Sequence, residues 1–225
     1  MVESVVIVGA GFGLSASLAR KCFNDGMHVT LVARDIKKIK QIAEETNATV
    51  FSCDASEPEQ VKELFKQQDR FNRSLDLVVY NPSARLRGPI HELDIKKTKK
   101  ALEITSFGAF LVAQQASQRM LQQGHGSIFF TGASAGVKGF ANSSVFAMGK
   151  FGLRGLAQAL ARELHQKNIH IGHFVIDGRI TSLPQNGDDD CLSADSIAET
   201  YLQFHRQSRN AWAWEVELRP WVENF

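Results

Sequence analysis

The 225-residue chain is 44% hydrophobic and 22% charged, which are ordinary values for a globular protein and exclude a disordered or fibrous chain. Its length predicts a single domain over residues 1–225. The 26 Lys and Arg residues nearly balance 24 Asp and Glu residues, and the formal charge of +2 argues against nucleic acid as a partner.

Short apolar runs rich in β-branched residues alternate along the chain with longer segments of helical period. This alternation is typical of a parallel sheet covered by helices, and it predicts an α/β fold with a doubly wound parallel sheet of about seven strands and helices on both faces. The predicted strands are Ser4–Val8, His28–Ala33, Thr49–Cys53, Leu75–Tyr80, Ser127–Thr131, Ile169–Ile176 and Trp212–Leu218. The predicted helices are Leu14–Asp25, Ile36–Glu45, Pro58–Gln68, Ile95–Gln123, Val145–Lys167 and Ala194–Gln207.

Capping residues precede several of the predicted helices. Ser56 stands three residues before Glu59, which is the spacing of a capping box, and Pro58 lies in the first turn. Short polar side chains before other helices are predicted to accept hydrogen bonds from the first free backbone N–H groups. These residues are Asp35, Asp94 and Ser193.

The cysteines and histidines indicate neither a disulfide framework nor a metal site. The three cysteines are widely spaced and form no C-x-x-C pair, and His170 and His173 are predicted to face opposite sides of one strand. A reducing compartment is therefore expected. The chain starts without a basic leader, and no stretch reaches the roughly 18 apolar residues that cross a bilayer. We expect an unprocessed, cytoplasmic protein without a membrane partner.

A glycine-rich turn follows the first predicted strand. The strand V-V-I-V runs directly into G-A-G-F-G-L-S, where a parallel sheet places the pyrophosphate of a dinucleotide on a helix N-terminus. A simple tight turn is the alternative, but the position after the first strand favours nucleotide binding. The spacing G-x-G-x-x-G fails at the third glycine, whereas G-x-x-x-G-x-G matches two glycines and puts Ser15 at the last. The predicted contacts are Gly9, Gly11, Phe12, Gly13 and Leu14.

The second spacing resembles that of the short-chain dehydrogenase/reductases, and the resemblance extends to the W-E-V-E-L-R-P segment near the end of the chain. It implies one Rossmann-type domain that binds NAD(P). The second strand ends in L-V-A-R-D, which puts Ala33 where NAD-preferring members carry an acid, with Arg34 beside it. A guanidinium there would pair with a 2′-phosphate, so NADP(H) is favoured over NAD(H). The alternative is an ordinary surface arginine.

Two further segments resemble the cofactor-binding half of the family. In S-C-D-A-S, Asp54 and Ala55 stand where the family contacts the adenine, although a helix-capping role for Asp54 is equally open. The fourth strand ends in V-V-Y-N-P-S-A, in which Asn81 matches the asparagine that lies against the cofactor ribose. Pro82 replaces a small residue of that family motif.

The segment after the sixth strand resembles the family's clamp on the nicotinamide carboxamide. Gly178 and Ile180 fit this clamp, and Thr181 or Ser182 would supply its hydroxyl. Asp177 replaces the family's proline, where it is either an acid or base or a loop cap. Substrate choice is expected to rest on the stretch from Gly178 to Leu192.

The catalytic half departs from the family pattern. A usual carbonyl reductase of the family has a Tyr as general acid, a Lys that lowers its pKa, a Ser that stabilises charge on the substrate oxygen, and an Asn. Lys150 is present here, whereas Phe146 stands at the Tyr position. Ala133 stands at the Ser position, although a shift of one residue would offer Ser134, and Thr105 stands at the Asn position.

The resemblance therefore implies an NADP(H)-binding oxidoreductase that acts on an unidentified small carbonyl or alcohol with a modified catalytic set. The proton would come from a water held by Lys150, from Ser134, from Tyr80 or from the substrate. The alternative is a catalytically inactive NADP(H)-binding sensor or scaffold of the same fold.

The resemblance also implies a homodimer or homotetramer. In the family, the helices that hold Thr105 and Lys150 pack against their copies in a partner subunit, and L-R-G-L-A-Q-A-L-A-R-E-L offers an amphipathic face for this contact. Four phenylalanines are expected in the core or at this subunit interface rather than in a substrate pocket. They are Phe107, Phe110, Phe129 and Phe130.

Overall fold

The computed structural model, which describes residues 2–181 and 190–223, contains one seven-stranded sheet and one two-stranded sheet. All strand pairs in both sheets are parallel. The strands are β1 (Ser4–Val8), β2 (His28–Ala33), β3 (Thr49–Ser52), β4 (Leu77–Tyr80), β5 (Gly126–Thr131), β6 (Ile169–Ile176), β7 (Ile180–Thr181), β8 (Leu192–Ser193) and β9 (Glu215–Leu218).

The main sheet has the strand order β3-β2-β1-β4-β5-β6-β9, and β7 pairs with β8. The direction of winding reverses between β1 and β4, and a parallel sheet opens a ligand crevice beyond the carboxyl ends of its strands at such a point. The fold is a doubly wound α/β sheet of the Rossmann type, which confirms the predicted fold class.

Helices cover both faces of the main sheet. Because side chains alternate across β1, Val6 and Val8 lie in one apolar core while Val5 and Ile7 lie in the other. This explains why the run V-V-I-V is buried along its whole length. The helices are α1 (Leu14–Asn24), α2 (Lys40–Glu45), α3 (Pro58–Asp69), α4 (Ile95–Leu102), α5 (Gly108–Gln123), α6 (Ser144–Leu164) and α7 (Ala194–His205).

Several predicted elements differ in extent from those in the structure. The predicted long helix is divided by a turn of π-helix at Glu103–Phe107, and the second predicted helix begins with a 3₁₀ turn at Ile36–Ile39. The last strand begins at Glu215 rather than at Trp212, because Trp212 and Ala213 donate hydrogen bonds to Gln207 instead. The short strands β7 and β8 were not predicted, since two residues carry no periodicity.

The predicted caps at Asp35, Asp94 and Ser193 are confirmed, because each side chain accepts a backbone N–H bond at the start of its helix. The predicted capping box at Ser56 is wrong. Glu57 is the N-cap of α3, and the Ser56 hydroxyl donates instead to Asp54 Oδ1 at 2.6 Å. As an acceptor, the Ser56 oxygen receives a bond from Lys100 Nζ at 2.8 Å, and the charged ammonium is a stronger donor than a backbone N–H.

Two negative findings apply to residues 2–181 and 190–223. No helix in these ranges has the length and apolar character needed to cross a membrane. No cluster of His, Cys, Asp and Glu side chains in the same ranges has a geometry that would hold a metal ion. His170 stacks on Trp212 at 4.5 Å between ring centroids, whereas His173 bonds Glu215.

Candidate functional site

The turn after β1 depends on glycine at its first position. Gly9 has a φ of +80°, and a Cβ built on it would lie 2.7 Å from the Pro82 ring. The N–H groups of Gly9 and Ala10 both donate to the carbonyl of Val32 at 2.9 Å, which fixes the turn against β2. A Cβ on Gly11 or on Gly13 would instead meet no atom within 4 Å. The turn is therefore closed at its base and open in front of α1.

A chain of hydrogen bonds joins this turn to β4. The Asn81 side-chain amide donates to Ser15 Oγ at 2.7 Å, and that hydroxyl donates to the Gly9 carbonyl at 3.1 Å. The backbone N–H of Asn81 donates to the Val8 carbonyl at 3.0 Å. Ser15, at the family's last glycine position, is thus a structural partner of Asn81.

Two other predicted cofactor contacts differ in exposure. Leu14 is in the core, whereas Phe12 is 65% exposed.

Alanine at position 9 should destabilise the protein by about 1–3 kcal/mol, because its backbone lies in the left-handed region and its Cβ would meet Pro82. The control is Gly11→Ala, at a position with open space and no left-handed φ, which should change the free energy of unfolding by no more than about 0.5 kcal/mol. Urea denaturation followed by circular dichroism measures both. Equal destabilisation of the two variants would contradict the assigned role of Gly9.

Arg34, just after β2, is exposed, and Asp54, just after β3, is partly buried. Burial raises the pKa of the Asp54 carboxyl. Hydrogen bonds from the hydroxyl and N–H of Ser56, and the charges of Lys100 and Arg34, lower this pKa by more, so it lies below its usual range. Asp54 therefore caps the turn before α3, and it remains ionised near Arg34. Ala55 is buried, and its carbonyl lies only 2.6 Å from where a Cβ on Gly108 would stand.

A cleft of about 840 Å³ opens at the carboxyl ends of β4, β5 and β6. It brings together most of the predicted catalytic residues and the start of the predicted nicotinamide clamp. The predicted residues that line it are Asn81, Ala133, Ser134, Phe146, Lys150, Gly178 and Ile180. Asn81 follows β4, and Ala133 and Ser134 follow β5. Phe146 and Lys150 lie on α6, and Gly178 and Ile180 follow β6.

Lys150 is buried at the base of this cleft, in agreement with the apolar sequence around it. Its Nζ donates to the Thr131 carbonyl at 2.6 Å. Burial, and secondarily the positive charge of Arg85, lower the pKa of the ammonium from its usual range to about 7. The structure thus places a cation with a readily exchanged proton where β5 ends.

The ring of Phe146 lies close to two cations. Arg85 Cζ is 4.5 Å from the ring centroid, and Lys150 Nζ is 5.9 Å from it. The face of an aromatic ring attracts cations electrostatically, so the ring holds both side chains near it. Phe146 and Lys150 share a helix face at i and i+4, and both line the cleft.

The residues after β5 present a hydroxyl to the cleft. Ala133 has an extended backbone and begins a 3₁₀ turn over Ser134–Gly136. Both Ala133 and Ser134 line the cleft, and Ser134 is the more exposed of the two. Within the described part of the chain the Ser134 hydroxyl makes no hydrogen bond, so it is free to bind a ligand.

Thr105 lies behind the cleft rather than in its wall. It is buried on the turn of π-helix between α4 and α5, and its Oγ1 accepts a bond from the Ala84 N–H at 3.1 Å. A Cβ on Gly149 would come within 2.9 Å of the Thr105 Cβ, so α6 packs closely here. Thr105 therefore positions the loop that follows β4.

Tyr80 and Asp177, the other candidates for acid or base, already interact with other protein groups. The Tyr80 hydroxyl is buried, donates to the Ile104 carbonyl and has its pKa raised by burial, so Tyr80 is not an available proton source. Asp177 is buried and pairs with Lys138 at 3.6 Å and with Arg219 at 3.5 Å. Thr181 pairs with Ser193 between β7 and β8, whereas Ser182 and the rest of residues 182–189 lie outside the described residues.

Sequence reasoning missed three arginines that line the cleft, Arg85, Arg87 and Arg179. The signal was present as R-L-R, in which an apolar residue separates two charges, just after the predicted fourth strand. An extended segment with this pattern presents both charges to one side. Arg179 follows β6 and pairs with Asp190 at 3.7 Å.

Comparisons with known proteins agree with the fold and identify the family. Residues 3–182 match the short chain dehydrogenase family. A short-chain dehydrogenase from Rhodopseudomonas palustris is 30% identical with a TM-score of 0.86, covering 97% of this chain and 99% of its own. A metagenomic short-chain oxidoreductase in complex with NADP is 23% identical with a TM-score of 0.86, covering 98% of each chain, which shows the shared fold.

Curated relatives differ in length from this chain. An uncharacterised oxidoreductase of Staphylococcus aureus is 24% identical over 221 residues, which are 96% of each chain. The 3-dehydrosphinganine reductase of Danio rerio is 29% identical over 177 residues, and the chain spans only about half of that protein, 53%. On the match over residues 3–182 and the shared fold, the chain belongs to the short-chain dehydrogenase family of oxidoreductases.

Proposed function

We propose that the protein is an NADP(H)-dependent oxidoreductase that reduces a small carbonyl compound, or oxidises the corresponding alcohol, with a modified catalytic set. The observation that carries this proposal is Lys150. A lysine buried to 2% exposure at the base of an open cleft is costly to fold unless the cleft uses its charge. No Asp or Glu in the described residues lines this cleft to neutralise it.

The residues around the glycine-rich turn fit an NADP molecule. The open space in front of Gly11 and Gly13 leaves the first N–H groups of α1 accessible to a pyrophosphate. Arg34, exposed at the end of β2, would pair with a 2′-phosphate, and Lys150 would bind ribose hydroxyls. The NADP complex of the metagenomic oxidoreductase supports the same cofactor class here.

Arg34→Ala is expected to weaken NADPH binding by about 10- to 100-fold, since a charge-assisted bond to phosphate is lost. NADH carries no 2′-phosphate, so its affinity should be unchanged. The matched control is Lys37→Ala, which removes another exposed positive charge near the same turn. Dissociation constants from quenching of protein fluorescence measure the effect. Equal affinities of wild type for NADPH and NADH, or an unaltered preference in the Arg34 variant, would contradict it.

NADPH, when bound, supplies a hydride to the carbonyl carbon, which leaves negative charge on the carbonyl oxygen. The free hydroxyl of Ser134 would donate a hydrogen bond to that oxygen. The Lys150 ammonium would hold a water molecule that passes a proton to the alkoxide. Lys150 would return a proton to this water and would then be reprotonated by solvent. With a pKa near 7, Lys150 exchanges protons with water at neutral pH.

The second candidate function is an NADP(H)-binding sensor or scaffold without turnover. Phe146 favours it, because this ring carries no acidic hydroxyl. A panel of aldehydes, ketones and alcohols, assayed by absorbance with NADPH or NADP, decides between the two. Turnover of at least one compound supports the oxidoreductase. Tight NADPH binding with no turnover of the panel supports the sensor.

We also propose a cytoplasmic homodimer or homotetramer. Four large apolar side chains are exposed near the junctions of α4, α5 and α6, and the rings of Phe107 and Phe110 stack at 6.2 Å. A second copy would cover this surface. The exposed residues are Phe107, Phe110, Met148 and Phe151. The free thiols of Cys22, Cys53 and Cys191 fit a reducing compartment.

A further inference from the structure

Two arginines project into the cleft from a short segment that is fixed at both ends. The N–H of Ala84 donates to Thr105 Oγ1 at 3.1 Å, and the N–H of Gly88 donates to the Asn142 carbonyl at 3.0 Å. Between these anchors, Arg85 and Arg87 are exposed and line the cleft, while Leu86 is half-buried. The arginines are therefore presented on an ordered segment opposite the residues that follow β6.

Among the described residues, no acidic side chain balances the charges of these two arginines. Within residues 2–181 and 190–223, neither Arg85 nor Arg87 forms an ion pair with an Asp or Glu. The described wall of the cleft carries Arg85, Arg87, Lys150 and Arg179 and no acidic side chain, although the whole chain has a charge of only +2. Arg179 is the exception that has a carboxylate partner, Asp190. The positive charge is thus concentrated where a substrate would enter.

The contact between Arg85 and Phe146 brings this charge to the catalytic region. Arg85 Cζ and Lys150 Nζ lie 4.5 and 5.9 Å from the same ring centroid, so two like charges share one aromatic ring. Burial, and then the positive charge of Arg85, lower the pKa of Lys150, and the second effect shows that the two like charges repel each other. A bound anion would relieve the repulsion, and its negative charge would be attracted by both cations.

We propose that the cleft selects substrates that carry an anionic group, a carboxylate or a phosphate, and that Arg85 and Arg87 bind this group. The guanidinium is the side chain best suited to it, since its planar donors match the two oxygens of a carboxylate or phosphate. This proposal rests on the proposed function in taking the cleft as the substrate site. It adds the substrate class, namely a carbonyl compound or alcohol that also carries an acidic group.

The test uses small aromatic ligands of similar size and different charge. Benzoate, phenyl phosphate and the neutral benzamide are titrated into the NADP-loaded protein by isothermal calorimetry. The two anions should bind about 10- to 100-fold more tightly than benzamide, and added salt should weaken them. The tighter anion identifies carboxylate or phosphate as the natural group. Equal affinity of all three compounds, or no binding by any of them, would overturn the proposal.

The arginine variants identify the residues. Arg85→Gln and Arg87→Gln should each weaken benzoate binding by about 10-fold while NADPH affinity stays within about 2-fold of wild type. Arg70→Gln is the matched control, because Arg70 is exposed at the end of α3, away from the cleft. Arginine variants that lose NADPH affinity by the same factor would assign the pair to the cofactor and overturn the proposal. Thermal melts confirm that each variant folds.

A pair of substrates separates this proposal from the proposed function. Wild type should reduce 4-carboxybenzaldehyde about 10-fold more efficiently than benzaldehyde, and Arg87→Gln should remove the difference. If wild type reduces both aldehydes equally well, the oxidoreductase function is supported and the anion site is contradicted. If benzoate binds through the arginines but neither aldehyde is reduced, the anion site is supported and the proposed oxidoreductase function is contradicted.

Discussion

Lys150→Ala is expected to lower kcat for carbonyl reduction by about 10²- to 10⁴-fold, which is the usual contribution of a positioned acid or base. The reason is geometric. Lys150 Nζ is held by the Thr131 carbonyl at 2.6 Å, so the variant loses the ammonium that would bind the ribose and order the proton-donating water. Steady-state kinetics on the best compound of the panel, followed by NADPH absorbance, measure the effect. NADPH affinity should fall as well.

The matched control for this variant is Lys167→Ala, which removes an exposed lysine just beyond α6. It should leave kcat and NADPH affinity unchanged. A Lys150→Ala protein with wild-type kcat would remove Lys150 from the proposed catalytic set. Loss of activity in both variants would show that the assay responds to general damage to the protein rather than to the loss of Lys150 from the cleft.

Lys150→Met separates loss of chemistry from loss of folding. The unfolded chain carries a lysine with a pKa near 10.5, whereas the folded protein holds it near 7. Between these pH values the unfolded state binds more protons, so the wild-type free energy of unfolding should rise as the pH increases from 7 towards 10. The methionine variant lacks this contribution and should show a flatter dependence in urea denaturation at pH 7 and pH 9. At pH 7 it should be at least as stable as wild type.

The sheet was predictable because its strands have a simple physical signature. A parallel strand covered on both faces needs apolar side chains on both sides, and runs such as V-V-I-V and L-V-V-Y meet that need without reference to the rest of the chain. The glycine-rich turn was equally readable, since Gly9 adopts a backbone conformation that other residues avoid. These features depend on neighbours in sequence.

The cleft was less predictable because its geometry depends on contacts between distant residues. Nothing near Tyr80 in the sequence indicates that its hydroxyl donates to the Ile104 carbonyl. Nothing near Thr105 indicates that its hydroxyl accepts a bond from the Ala84 N–H. The placement of Arg85 over Phe146 likewise requires the loop after β4 to meet the start of α6. Periodicity and spacing contain no such information. The motif residues of the cleft could be predicted, but its arginines were not, and neither was which of the residues would be available for chemistry.

Restoring the missing hydroxyls should increase carbonyl reduction. The double variant Phe146→Tyr with Ala133→Ser is expected to raise kcat/KM by about 10²-fold, because it adds a phenol and a second hydroxyl to the wall of the cleft. The ring at position 146 already lies near Arg85 and Lys150, and both positive charges would lower the pKa of a phenol there. A phenol with a lowered pKa is the better proton donor at neutral pH.

A second phenylalanine in the same cleft supplies the control. Phe140 lines the cleft but is 46% exposed and packs near Lys138 rather than Lys150. Phe140→Tyr therefore adds a phenol of the same chemistry at a position that does not contact Lys150, and it should leave kcat/KM within about 2-fold of wild type. If the double variant folds, binds NADPH and gains nothing, Phe146 does not occupy the acid position. If Phe140→Tyr gains as much, the increase comes from polarity of the cleft and not from the pairing of a phenol with Lys150.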